Sequence, residues 1–76
     1  MSDSPHLILT TENPRTEETV FAEFERAEIW ALARLVKRLG FNDCRANAVS
    51  DDEAYMMTDA LAKLQRFLAG AGVAPR

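Results

Sequence analysis

One long helix constrains what the rest of this chain can be. The stretch 50–72, "SDDEAYMMTDALAKLQRFLAGAG", opens on Ser50 with Glu53 three residues later, the spacing of a capping box. Asp51 and Asp52 occupy the first turn, where the partial positive charge of a helix start favours acids. Lys63 and Arg66 come late, where cations are favoured. Met57, Ala60, Leu61, Leu64, Phe67 and Leu68 recur at helical spacing and form one apolar stripe. Gly70 and Gly72 are stop signals and Pro75 prevents continuation. A helix is predicted from about 51 to 69, and the fifty residues before it must supply whatever covers its stripe.

A second helix is written in "EIWALARLVKRLGF". At about 100° per residue Ile29, Leu32, Val36 and Leu39 fall on one side, and Gly40 marks the end. A start near Glu25 keeps Glu25 and Glu28 in or just before the first turn, where acids are tolerated. Before it, "TVFAEF" alternates and "HLILTT" is an apolar, β-branched run, with a turn-like Asn13-Pro14 between them. These predict a loose β-hairpin over residues 7–11 and 19–24. The rival is one long helix with Asn13 as cap and Pro14 as its first residue. In "FNDCRANAVS", Asn42 or Asp43 is placed to cap a short helical turn over Cys44–Ala48, and Phe41 to fold back on the preceding helix. The fold class is therefore mainly α: two long helices and a short connecting one, with an N-terminal β-hairpin or extended arm. Residues 1–76 form a single small domain, with 1–6 and 73–76 expected to be flexible.

With 76 residues the chain buries only about 60–65 % of its unfolded surface, which leaves it marginally stable. One cysteine, Cys44, forms no internal bridge, and Cys44 with His6 is too few soft ligands for a structural zinc site. No cofactor or metal is expected. The supplement this size calls for is a partner or a second copy, and a homodimer is expected. The apolar run Leu7–Leu9 is too short for a signal peptide, no stretch approaches a membrane span, and the lone thiol suits a reducing compartment, so the expected location is the cytoplasm.

The net charge of −3 conceals a pattern. Residues 1–25 carry −5, residues 26–48 carry +3, and residues 49–76 carry −1. Arg34, Lys37, Arg38 and Arg45 form a basic band between acidic flanks. The band suits either internal pairing or contact with nucleic-acid phosphates, but no zinc finger, helix-turn-helix or basic arm frames it. Asp51-Asp52-Glu53 point about 100° apart on a helix and do not converge on one ion. Cys44 and His6 share no motif with an orienting acid or an oxyanion loop. P-loop, GxGxxG, HExxH and CxxC motifs are all missing from the sequence. The chain reads as a binding protein and not an enzyme.

Trp30, the only tryptophan, falls opposite the apolar stripe of its helix, in the sector of Arg26, Arg34 and Lys37. Three placements are open. The N-terminal arm crosses that side, making Trp30 core; an arginine stacks on the indole, a small term of roughly 0.5–1 kcal/mol; or Trp30 anchors an interface, where Trp, Tyr and Arg are enriched. Tyr55 lies similarly off its helix's stripe and Met56 at the margin. The candidate interface is Trp30, Tyr55, Arg34, Arg26 and Met56. The candidate acidic surface is Glu17, Glu18, Glu23, Asp51 and Asp52.

From residue 26 onward, "WALARLVKRLGFNDCRANAVSDDEAYMM" and the ending "AGAGVAPR" resemble a group of short proteobacterial proteins without assigned activity, often carried on integrated mobile elements. The matching positions are Trp30, Lys37, Arg38, Gly40, Phe41, Asp43, Arg45, Asp52, Glu53, Ala54, Tyr55, Met57, Ala74, Pro75 and Arg76. Cys44 departs from the pattern, where a tyrosine is expected, as does the longer acidic arm. The resemblance implies a fold and a genetic setting, not a mechanism. That setting makes the most specific expectation an inhibitor of a host defence complex, anti-CRISPR-like, acting by surface binding. A nucleic-acid-binding accessory factor using the basic band and an antitoxin-like dimeric partner are the alternatives.

Overall fold

The computed structural model describes residues 7–75. The element order is β1 (Leu7–Glu12), β2 (Thr19–Phe24), α1 (Arg26–Arg38), α2 (Phe41–Asn47) and α3 (Asp51–Gly70). It is a mainly helical fold with an N-terminal two-stranded antiparallel hairpin, the architecture read from the sequence. His6, and the flexibility expected of residues 1–6 and of Arg76, lie outside the described residues.

The hairpin prevails over the long-helix alternative because its loop is closed locally. The Asn13 amide donates to the Glu18 carbonyl and the Glu17 amide to the Asn13 carbonyl, both at 2.8 Å. The Asn13 side chain accepts from the Arg15 amide at 2.9 Å, the local turn chemistry that makes asparagine a poor helix interior residue. Pro14 therefore sits in the loop instead of opening a helix. Leu7 pairs with Phe24, Leu9 with Ala22 and Thr11 with Val20, while Ile8 pairs with Glu23 and Thr10 with Phe21. Directly paired residues share a face, so each face of the ribbon carries large apolar side chains.

Each helix start is set by an acid reaching backward. Glu28 accepts from the Glu25 amide at 2.9 Å, which starts α1 where the first-turn argument places it. For α2 the cap is Gly40, not Asn42 or Asp43: the Asp43 carboxylate accepts from the Gly40 amide at 2.8 Å, which moves the start to Phe41. Ser50 Oγ accepts from the Glu53 amide at 3.2 Å, and Glu53 accepts from the Val49 amide at 3.0 Å. The predicted box is thus made, with its return bond one residue earlier than the ideal pattern.

The end of α3 revises the sequence reading. Gly72 has φ +89°, a backbone conformation that favours glycine. Its amide donates to the Ala69 carbonyl at 3.0 Å, and the Val73 amide to the Leu68 carbonyl at 2.8 Å. These two bonds are the Schellman pair, and they turn Val73 back onto Leu68. Val73 is 1 % exposed. Within the expected tail Val73 is thus buried and Pro75 half-buried, while Ala74 is exposed, and the Pro75 carbonyl accepts from Lys37 Nζ at 2.7 Å.

Leu7, Ile29, Ala33, Leu68 and Val73 form the core, with Phe24, Trp30, Leu32 and Leu64 partly buried against it. The hairpin is thus held by its root alone: Leu7 is buried and Phe24 half-buried, while every strand residue beyond them is exposed. A two-stranded ribbon with no third layer is marginal by itself. The projecting arm gives a radius of gyration of 14.6 Å, against about 11 Å for a compact domain of this length.

Candidate functional site

Three surfaces remain incompletely covered. The first is the hairpin, where Ile8, Val20 and Phe21 are exposed, Phe21 by 69 %, with the outer edges of both strands open in a sheet of order β1-β2. Open edges and bare apolar faces are the features soluble proteins usually blunt.

The second is a groove between α2 and α3, about 380 Å³, walled by Leu39, Met57, Ala60, Leu61 and Leu64 with Cys44, and by the polar Asp43 and Asn47 of α2. Of the stripe predicted for α3, Leu68 is buried and Met57, Leu61 and Leu64 are half-buried, whereas Ala60 and Phe67 are exposed and Ala54, outside the predicted stripe, is fully buried. α2 is a short helix, and it seals Cys44 and Ala54 without reaching across Met57 and Leu61. Phe41, expected to fold back on α1, instead packs on Tyr55 with ring centroids 5.0 Å apart. It begins α2 and its ring meets α3, so it is carried away from the helix it follows.

The third surface is a cleft of about 390 Å³ lined by Trp30, Arg34, Lys37, Arg38, Ala74 and Pro75. The packed C-terminal segment forms its second wall, opposite α1. Sequence reasoning missed Ala74 and Pro75 here because it treated them as tail. The available signal was Gly72 followed by an apolar residue, the pattern of a chain returning to its helix. Trp30 packs on the core and also lines this cleft, so it joins the interior to a basic surface.

The candidate interface residues are therefore distributed. Trp30 and Arg34 meet at the cleft, Tyr55 and Met56 are exposed on α3, and Arg26 opens α1. The basic band divides as well. Arg34, Lys37 and Arg38 share the cleft, whereas Arg45 Nε donates to Asp51 at 2.6 Å and Arg45 Nη1 to the Ala48 carbonyl at 3.2 Å. Arg45 thus clamps the α2–α3 connection. The acids occupy three places: Glu17 and Glu18 in the hairpin loop, Glu23 on β2, and Asp51 and Asp52 at the start of α3. Asp51 is committed to Arg45 and Glu53 to the Val49 amide, so the acidic triplet divides its work within the fold. Among the described residues no three His, Cys, Asp or Glu side chains are grouped to hold a metal ion. Cys44 is a buried free thiol.

Residues 12–76 match the model of DUF7706, a family of unknown function. The chain belongs to this family. The DUF7706 match takes in only Glu12 of β1, and then β2, all three helices and the C-terminal segment. The cleft and the groove therefore lie wholly within it. No curated protein and no solved structure matches the chain. Among the described residues no helix is long and apolar enough to cross a membrane.

Proposed function

We propose that this DUF7706 protein is a binding module that works as a homodimer, its hairpin and its α2–α3 groove being covered by the second copy. One quantity carries the reading. The chain exposes 6149 Å², whereas a compact monomer of 8.5 kDa exposes about 4,650 Å². Setting residues 1–6 aside at their maximal solvated area still leaves an excess of about 800 Å². That is the area one partner loses in a standard interface. The excess is also of the right chemistry, since Ile8, Val20 and Phe21 are apolar and the groove is walled mostly by Leu, Met and Ala side chains.

A partner of different sequence would use the same surfaces, as an inhibitor of a host defence complex or an antitoxin-like protein does. The loop acids Glu17 and Glu18 would then be the electrostatic component. Their reversal to lysine is expected to weaken such binding and to reduce its salt dependence. Amide hydrogen exchange over a protein-concentration series tests the homodimer. Protection within residues 7–24 and 39–64 is expected to rise with concentration. Exchange independent of concentration at both segments, in a chain of monomer mass, would overturn the reading.

A further inference from the structure

We infer that the cleft between α1 and the C-terminal segment is a binding site for single-stranded nucleic acid, with a base against Trp30 and the backbone phosphates on Arg34, Lys37 and Arg38. This does not rest on the homodimer. Three cations line the cleft, and among the described residues no Asp or Glu side chain does. Arg34 and Arg38 are exposed and have no hydrogen-bond or ion-pair partner among the described residues. Lys37 gives one proton to the Pro75 carbonyl at 2.7 Å and keeps two. Arg45, the one member of the basic band outside the cleft, is by contrast paired with Asp51. Unpaired cations gathered at one depression mark a place for an anion.

The residue types narrow the anion. Arginine forks match phosphate oxygens in a bidentate manner that lysine does not. Arg34 and Arg38 stand one helical turn apart, about 6 Å along the axis, a separation that successive phosphates of a strand can meet and a single carboxylate cannot. The indole beside them is a stacking platform, and base-on-aromatic stacking with a cationic groove is how single strands are held without sequence readout. The cleft's volume, about 390 Å³, takes a nucleotide and is far too small for a duplex. Any nucleic-acid strand faces a chain of net charge −3, so local contact, not long-range attraction, has to carry the binding.

The chain carries its own reporter, since Trp30 is the only tryptophan. The test is a titration of the full chain with a twelve-residue oligothymidine at low salt, read by tryptophan emission and by anisotropy of the labelled strand. Saturable quenching is expected. Three phosphate contacts on a single strand give a log–log salt slope near −2, or about 20-fold weaker binding on a fourfold rise in salt. The double variant Arg34→Ala/Arg38→Ala, both sites exposed, is expected to weaken binding at least tenfold and flatten the slope to about −0.7. Arg45→Ala is expected to leave both unchanged. No binding by either readout would overturn the inference. So would equal quenching by a polyglutamate peptide, a mononucleotide bound as tightly as the oligomer, or a double variant that binds like wild type.

Discussion

Val73→Ala separates a packed C-terminal segment from a loose one. Val73 is 1 % exposed and lies in the core with Leu68, held there by its own amide bond to the Leu68 carbonyl at 2.8 Å. The substitution removes two buried carbons, worth about 0.8 kcal/mol each in transfer, and leaves a small cavity that adds to this. The cost is about 2 kcal/mol, out of the roughly 4–11 kcal/mol that a domain of this length possesses. For a chain of this size each kcal/mol moves the midpoint by about 4–8 °C, so a fall of about 8–16 °C is expected. Val49 supplies a matched control within the same molecule, because its side chain is 88 % exposed. Val49→Ala removes the same atoms and is expected to change stability by no more than about 0.5 kcal/mol. Thermal unfolding followed by helical circular dichroism reads both, at one protein concentration, since an associating chain melts higher when concentrated. A Val73→Ala midpoint within about 2 °C of wild type would refute the reasoning, as would equal losses in the two variants.

Further outcomes follow from the backbone and from charge. Gly72→Ala meets no atom within 4 Å but places an L-residue at φ +89°, and a loss of about 1–2 kcal/mol is expected by denaturant titration. Gly70→Ala, also in open space but at the helical end of α3, is expected to gain up to about 0.5–1 kcal/mol in the same titration. Glu17 is the one non-glycine residue with positive φ, at 60°, among the described residues. Glu17→Gly is expected to relieve that conformation and to leave stability unchanged or raised by up to about 1 kcal/mol, read as the urea midpoint. The Arg45–Asp51 pair is 45 % and 75 % exposed, and a double-mutant cycle is expected to return under about 1 kcal/mol, diminishing in salt.

The parts legible in the sequence are those in which a residue acts on its immediate neighbours. Ser50 with Glu53, the acids before α1 and the alternation in "TVFAEF" each fix an element by contacts within four residues. The misreadings involve a residue that acts at a distance or through the backbone. Local preference makes Asn42 or Asp43 the cap of α2, whereas the Asp43 carboxylate reaches back to the Gly40 amide and the helix starts about a turn earlier, at Phe41. Phe41 was placed on α1, but starting α2 there directs its ring to Tyr55. Val73 follows two glycines that local pattern marks only as stops, while Gly72 turns the chain back into the core.

Periodicity also oriented α1 slightly wrongly. Ile29 and Val36 are buried as expected, but Ala33 completes the face, and Leu39 lies at the groove. Pattern identifies the apolar side of a helix; how much of that side is covered depends on what packs against it. The same limit applies to the candidate site. Trp30, Arg34 and Lys37 are recognisable as one sector of α1, with Arg26, because helical spacing places them there. The gathering of the first three with Arg38 into a cleft depends on Ala74 and Pro75, forty residues away in sequence, and no local signal carries that. Arg45 leaves the basic band for a nearer reason, the closeness of Asp51, six residues on, once α2 and α3 are folded against each other.

The homodimer is tested most directly by the mass of the protein in solution, by light scattering across a concentration series, for wild type and Phe21→Ser. Phe21 is 69 % exposed, so its replacement cannot unfold the monomer by opening the core. The predicted result is a wild-type mass of twice 8.5 kDa that falls toward the single-chain value in Phe21→Ser, with helical content retained. A wild-type chain that keeps its single-chain mass at every concentration, with Phe21→Ser indistinguishable from it, would contradict the account.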